Sequence, residues 1–575
     1  MSGLLSLLSE RLVPAFDALE SGADPTVRRS DRADFQANGA LALGKRLGRN
    51  PRDIAGEVVA KADLDGYAST EIAGPGFVNL VLAEEWLAGL LVDMSASPRL
   101  GVEPAAVPHK VVVDYSSPNA AKQLAVHHIR STIIGDSICR MLAFAGHEVV
   151  RANHLGDWGT QFGMLIEHVM EMEVAAGGGE LSIADLEDFY RDARTKFDGD
   201  PGFAERARSR VVSLQSGDEE TLRLWAIVID ESKRHLSLVY GQLGVLLTED
   251  DFAGESMYND MLQAVVDDLD SLGLLVVSDG ARCVFPPGFT NREGGPLPLI
   301  VQKTDGGFGY TATDLAALRY RAGMLGADLL LYVVGAPQSE HLAMCFAAAR
   351  MARWLPDGVE ALHIPFGSVL GPDHKILRTR SGGTVRLDEL LDEAISRATA
   401  KVAETNPGME PLRAAAIAEA VGIGAVKYGD LSTDRIRDEV FDWERMLSVD
   451  GNTAPYLQYA HARICSILRK AEAEGIDVAG NSPPHLATPA ERELAIGLLS
   501  FEDALWQTLE TYSPHRLCTY LFELAGTFTS FYESCPVLKA PDEETRASRL
   551  FLCRLMARVL ERGLDLLGIA APTEM

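Results

Sequence analysis

Val111, Val112 and Val113 form a short β-branched run that ends at Asp114 and Tyr115, and it limits the fold more than any other stretch. A polar segment follows, residues 131–145 carry helical periodicity, and Glu148-Val149-Val150-Arg151 reads as the next strand. Apolar strands without polar alternation belong to sheets covered on both faces, which are parallel and need crossover helices. The resulting β-loop-α-β unit exposes the amides of a helix N-terminus beside the end of a strand, a place suited to an anion. With Lys122, His128 and Arg130 as nearby donors, the unit reads as a nucleotide or phosphate site, set against the plainer reading of a solvated basic loop.

The alternation continues downstream. Residues 297–302 and 329–334 read as further strands, separated by a helix at 313–324, as in a doubly wound sheet of the Rossmann type. A helical insertion is expected at about 165–275, interrupted at Gly177-Gly178-Gly179. Before the sheet, residues 1–104 read as an α+β module. It opens with an amphipathic helix marked by Leu4, Leu5, Leu8 and Leu12, continues with helical patterns at 34–47 and 50–64, and has a strand at 77–81 after Gly74-Pro75-Gly76. After the sheet domain (105–385), a helical linker (386–454) and an all-helical bundle (455–575) are expected, with periodic stretches at 455–474, 489–508 and 545–566. The fold class is multidomain α/β plus all-α.

Composition closes off other classes. At 575 residues, 47% hydrophobic and 23% charged, the chain can bury several cores without staples. Its 53 basic and 82 acidic residues leave a net charge of −29, which argues against coating nucleic acid by bulk charge but leaves room for a local basic groove. Seven scattered cysteines with no C-x-x-C pair exclude a zinc ribbon or disulfide scaffold and fit a reducing cytosol. The first twenty residues lack a basic stretch before the apolar stripe, so they do not read as a signal peptide, and no run of 18 apolar residues offers a membrane span.

The stretch Asp114-Tyr115-Ser116-Ser117-Pro118-Asn119, running on through Lys122, His127, His128, Arg130 and Ser131-Thr132-Ile133-Ile134-Gly135-Asp136, resembles the signature of the arginyl-tRNA synthetases, a class I family. Further blocks resemble it in the same order. They include Arg151-Ala152-Asn153-His154-Leu155-Gly156-Asp157-Trp158, Tyr310-Thr311-Ala312-Thr313-Asp314, Thr379-Arg380-Ser381-Gly382-Gly383-Thr384, Phe441-Asp442-Trp443, Gly451-Asn452-Thr453-Ala454-Pro455-Tyr456 and Pro514-His515-Arg516-Leu517. Many blocks in order are a specific signal.

The resemblance implies a ligase that activates arginine with ATP, Mg²⁺ entering with the nucleotide, and passes it to tRNA-Arg, activation occurring only with tRNA bound. It implies an arginine pocket of Asn119, Glu148, Asn153, Tyr310, Asp314 and Gln338, with Asp314 or Glu148 supplying a carboxylate fork for the guanidinium. It implies catalytic roles for Lys122 and His128, and ATP contacts at Ala125, His127, His128, Gly367, Val369 and Leu370. For tRNA it implies Gln36 and Asn79 in the N-terminal module, and Tyr456, Tyr459 and Arg463, with Gln458 beside them, in the bundle, where aromatic faces next to a cation suit unstacked bases. No resident metal, no DNA and no membrane partner are expected, and the chain is expected to act as a cytoplasmic monomer.

The ATP side departs from the family pattern. H-x-G-H stands here as Ala125-Val126-His127-His128, so the first histidine is missing and an imidazole fills the glycine position. One lost hydrogen bond to a charged group costs about 1.5–3 kcal/mol. The usual K-M-S-K is replaced by Gly371-Pro372-Asp373-His374-Lys375 with Arg378 and Arg380 after it, and Lys122 fits the lysine that stands in for that motif in many members. Two readings therefore stay open: a ligase with a weakened or rebuilt ATP site, and a paralogue that binds arginine or tRNA without activating them or serves an auxiliary role.

Overall fold

The computed structural model describes residues 3–120, 122–175, 186–378, 385–480 and 482–575. The expected break at 177–179 and the block 379–384 fall outside these residues. The chain forms two compact units, one of Met1–Ala105, Thr405–Gly424 and Leu447–Met575, the other of Ala106–Glu404 and Ala425–Met446. Residues 386–454 were expected to stand as a linker of their own. They are instead divided between the two units.

In the second unit, among the described residues, a parallel sheet runs in the order Glu360–His363, Leu329–Tyr332, Lys110–Asp114, Glu148–Ala152. Val111, Val112 and Val113 are almost wholly buried, as an all-apolar strand requires. The helix His128–Phe144 crosses over to the edge strand, and it lies so close that a Cβ on Gly135 would stand 2.3 Å from the Tyr115 side chain. The helices Tyr310–Arg319 and Ser339–Met351 bury Leu315, Ala316, Cys345 and Ala348 in the core around Val112 and Leu330. Leu299–Gln302 does not join this sheet. It pairs antiparallel with Ala281–Val284 in a separate sheet, and its alternating burial, with Ile300 exposed, is that of a strand with one wet face. The insertion is helical as expected, with Thr160–Ala175, Leu186–Gly199, Pro201–Gln215 and Glu219–Leu243.

In the first unit, Leu4–Asp17 is the expected amphipathic helix. Phe35–Ala37 is a strand where helix was expected, because both faces of this short segment are buried against Phe77–Leu82. The bundle comprises Ala454–Ala473, Pro489–Leu499, Phe501–Thr511, His515–Ser534 and Glu543–Leu566. The single helix expected at 489–508 breaks at Ser500, which ends one helix and begins the next.

Candidate functional site

Side chains at the C-terminal ends of parallel strands meet where crossover connections leave the sheet in opposite directions, and here that crevice lies between Lys110–Asp114 and Leu329–Tyr332. The chain leaves the first of these through Ser116 and Ser117, both left-handed with φ of 67° and 45°. Two consecutive non-glycine residues in that region persist only if neighbours hold them. The Ser117 amide donates to Asn153 Oδ1 at 2.9 Å and its hydroxyl donates to Asp114 Oδ1 at 2.7 Å. Ser116 Oγ shares a 2.8 Å bond with the Tyr240 hydroxyl, and Asp114 is paired with Arg321, both fully buried. Ser116 and Ser117 are thus held from several sides, and Asn119 and Lys122 beyond them are exposed.

Across the crevice, Tyr310 and Asp314 stand one turn apart on the helix Tyr310–Arg319. Asp314 Oδ2 lies 2.6 Å from His341 Nε2, whose ring packs edge to face on Tyr310 with centroids 4.9 Å apart. Gln338, exposed, begins the helix Ser339–Met351. A residue that no motif singled out joins them: Glu255, whose carboxyl is pushed up to about 7 by burial and then by the negative charges of Asp157 and Asp314. Glu255 therefore feels the negative charge of Asp314, and a cation bound near both would ease that repulsion. No spacing in the sequence marks Glu255, since it enters from the end of the helical insertion.

On the other side of the loop, residues 125–127 form a turn, and the helix starts only at His128. His127 therefore does not lie on a helix face fixed by His128, and the two imidazoles meet tilted at 38° with centroids 4.0 Å apart. The Ala125 amide donates to His128 Nδ1 at 3.0 Å. Burial first, then His127 and Lys122, hold His128 down to about 4, so the ring is neutral at pH 7, with Nδ1 within reach of both the amide and the carbonyl of Ala125. The turn is tied down from outside: Val126 donates to the Val385 carbonyl and Leu387 to that of Leu124. Lys122 lies 4.8 Å from the centre of the Tyr190 ring and stays exposed. Val369–Leu370 pairs in parallel with Glu439–Val440, and a Cβ on Gly367 would meet the Arg437 backbone at 2.7 Å, so this stretch is a packed backbone wall. Lys375 and Arg378 are exposed beyond it.

Several expected residues stand elsewhere. Glu148 begins its strand, in register with Lys110 and ion-paired to it at 3.0 Å, so it lies at the end of the sheet opposite the crevice and is not part of the pocket. Asn153 is fully buried and spends its amide on Ser117 and on the Tyr240 hydroxyl, so it positions the loop instead of touching a ligand. Arg130 is buried against Asp430 at 2.9 Å, which removes it from the phosphate donors. In the first unit, Gln36 and Asn79 face each other across paired strands, joined at 2.8 Å and nearly closed to solvent, so neither is offered to a base. Gln458 is likewise buried, donating to the carbonyls of Ala420 and Ala570. Tyr459 and Arg463, one turn apart, are exposed, Arg463 lying over the Tyr532 ring, and Tyr456 is half-buried against Phe522. Trp443 packs edge to face on Phe441.

Residues 96–443 match the class I (R) tRNA synthetase catalytic domain, residues 457–575 the DALR anticodon-binding domain, and residues 4–82 the arginyl-tRNA synthetase N-terminal domain. The chain is 53% identical to an arginine–tRNA ligase of Thermobifida fusca over 98% of its own length and 97% of the relative's. It is 48% identical to that of Escherichia coli over 99% of both. Among solved structures it resembles the arginyl-tRNA synthetases of Plasmodium falciparum (TM-score 0.86, 28% identity) and Thermus thermophilus (TM-score 0.81, 27% identity), covering each chain completely. With catalytic, anticodon-binding and N-terminal domains in that order and close relatives matched end to end, the chain belongs to the class I arginyl-tRNA synthetases, ligases that join arginine to tRNA.

Proposed function

We propose that Asp314 and Glu255 together receive the guanidinium of arginine, with Tyr310 alongside and with Asn119 and Gln338 fixing the α-amino and carboxylate groups. The single observation that carries this reading is Asp314 one turn from Tyr310 on one helix at the crevice, its charge felt by the Glu255 carboxyl, which is raised to about 7. A guanidinium offers a planar fork of donors to two carboxylates, which lysine lacks in geometry and citrulline lacks in charge. Calorimetry with Asp314→Ala should show arginine binding lost. Unchanged affinity would refute the assignment.

ATP, with Mg²⁺, is proposed to lie between Lys122, the neutral His128 and the backbone wall at Gly367, Val369 and Leu370. The bound arginine carboxylate attacks the α-phosphorus, giving arginyl-adenylate and releasing pyrophosphate. The terminal ribose hydroxyl of tRNA-Arg then attacks the acyl carbon and AMP leaves. The substrates bring the nucleophiles, so the protein's part is positioning and charge stabilisation: Lys122 by its charge, His128 by its neutral imidazole. At Ala125 a methyl replaces a donor, and His127, its ring tilted against that of His128, supplies an imidazole in the same turn. The reading is therefore an active ligase whose nucleotide site is rebuilt around His127.

The test is arginine-dependent ATP–pyrophosphate exchange with and without tRNA-Arg, in the parent and in Ala125→His/His127→Gly. Exchange in the parent that depends on tRNA, and slows in the double variant, supports a rebuilt site. A lower KM for ATP in the variant, by the ten- to hundredfold that one charged hydrogen bond represents, indicates a site that is merely weakened. Exchange in neither, with arginine and tRNA still bound, would overturn the catalytic reading in favour of a binding paralogue.

A further inference from the structure

Asp314 touches more than the crevice. Behind it, on the helix Ser339–Met351, His341 and Cys345 stand one turn apart and point the same way. His341 Nε2 is 2.6 Å from Asp314 Oδ2 and 3.5 Å from Cys345 Sγ, and the three ligand atoms all lie within 4.8 Å of one another. We propose that Asp314, His341 and Cys345 form a binding site for a soft divalent cation of the zinc type.

The donor set is one carboxylate, one imidazole and one thiol, a combination that selects zinc or cobalt over magnesium or calcium. Zinc bound at about 2.0 Å to nitrogen and oxygen and about 2.3 Å to sulfur holds its ligand atoms roughly 3.3–3.7 Å apart. The imidazole-to-thiol edge already has that length. The carboxylate, within 4.8 Å of the thiol, has to turn away from His341 and toward Cys345, a rotation about its side-chain bonds. The pair i, i+4 on one helix fixes two ligands, and Asp314 on the neighbouring helix supplies the third, so the site is built on rigid elements. Access comes from the front. Cys345 is closed to solvent, but the His341 and Asp314 side chains are 20% and 23% exposed, on the edge where Tyr310 stands. Three protein ligands leave one coordination position open, the arrangement of an exchangeable site as opposed to a closed structural one. On binding, the Cys345 thiol gives its proton to solvent and the sulfur takes the metal in its place.

Since Asp314 is also the proposed guanidinium ligand, metal and arginine exclude each other. That consequence, unlike the metal site, rests on the function proposed above. The experiment uses the full-length protein freed of metal with a chelator and titrated with Co²⁺, whose thiolate charge-transfer band reports a cobalt–sulfur bond. The parent should develop that band at about one cobalt per chain, Cys345→Ala should not, and Zn²⁺ should bleach it. No band in the parent, or a band that survives Cys345→Ala, would overturn the site. Folding of the variant is checked by its arginine-dependent exchange, which should persist and should need at least tenfold more Zn²⁺ for half-inhibition than the parent. Equal zinc sensitivity would count against the site. Arginine titrated into the cobalt form separates the two readings. Loss of the band supports both. A band that persists at saturating arginine would leave the metal site standing and overturn the placement of Asp314 in the arginine pocket.

Discussion

Glu255 is the residue whose chemistry is most open to measurement by pH. Burial and two neighbouring carboxylates place its titration at about 7, and a guanidinium binds the ionised form. Between pH 6 and pH 8 the ionised fraction rises roughly tenfold, so arginine affinity by calorimetry should rise about tenfold over the same window. Glu255→Gln should weaken binding and flatten the profile, and a flat profile in the parent would remove Glu255 from the pocket. For the empty protein the sign is opposite. A carboxyl whose folded pKa lies above its ordinary 4.5 contributes stability that is complete below about 4.5 and is lost as pH rises through about 7. The same scale explains why Glu148 was read wrongly from the sequence. It precedes the strand Glu148–Ala152 by nothing and Asn153 by a whole strand length, so a motif that places both near one ligand ignores about 3.3 Å of rise for each residue between them.

At the scale of elements, two of the motifs turn out to be structural signals as much as chemical ones. In Gly451-Asn452-Thr453-Ala454-Pro455-Tyr456, Gly451 takes φ of 87°, Thr453 Oγ1 accepts from the Tyr456 amide at 3.3 Å and donates to the Ser448 carbonyl at 2.6 Å, and Pro455 sits in the first turn. This is a turn followed by a capped helix start, which sets the first turns of the helix that carries Tyr456 and Tyr459. Thr453→Ala should cost about 0.5–2 kcal/mol, read from thermal unfolding. A neutral result would show that the turn alone sets the helix. In the signature helix His128–Phe144, Arg130 is the structural counterpart, buried with Asp430 and donating to the Arg437 carbonyl at 2.8 Å. Arg130→Met leaves that carboxylate buried without a partner and should destabilise by about 3–5 kcal/mol, while Arg130→Met/Asp430→Leu should recover most of it. If the double variant is no better than the single, the pair is not what the helix needs.

For the whole molecule, 82 acidic against 53 basic residues make tRNA binding a matter of where the cations stand, not of how many there are. Affinity for tRNA-Arg should fall as salt rises, through release of counterions from the phosphates that lysines and arginines neutralise. On the bundle, Tyr459→Ala should cost about 1–3 kcal/mol of tRNA affinity if one base stacks there, with arginine binding untouched. An unchanged affinity would move the anticodon contact off this face. The sequence by itself determined the strand–loop–helix start at Val111, the amphipathic first helix, the helical insertion and bundle, and, through the order of its blocks, the family. These are written in periodicity, turn residues and caps that act within a few positions of one another, which is why they survive without coordinates. The sequence did not reveal that Leu299–Gln302 lies in another sheet, that Arg130 and Asn153 are spent inside, that Gln36 and Asn79 satisfy each other, or that Glu255 and Cys345 come to the side of Asp314. Each of those depends on which end of a strand, or which face of a distant helix, is brought against a charge. Such meetings are set by sheet order, register and packing, and they are decided only when the tertiary structure forms, because a buried polar group must find its partner wherever the fold puts one.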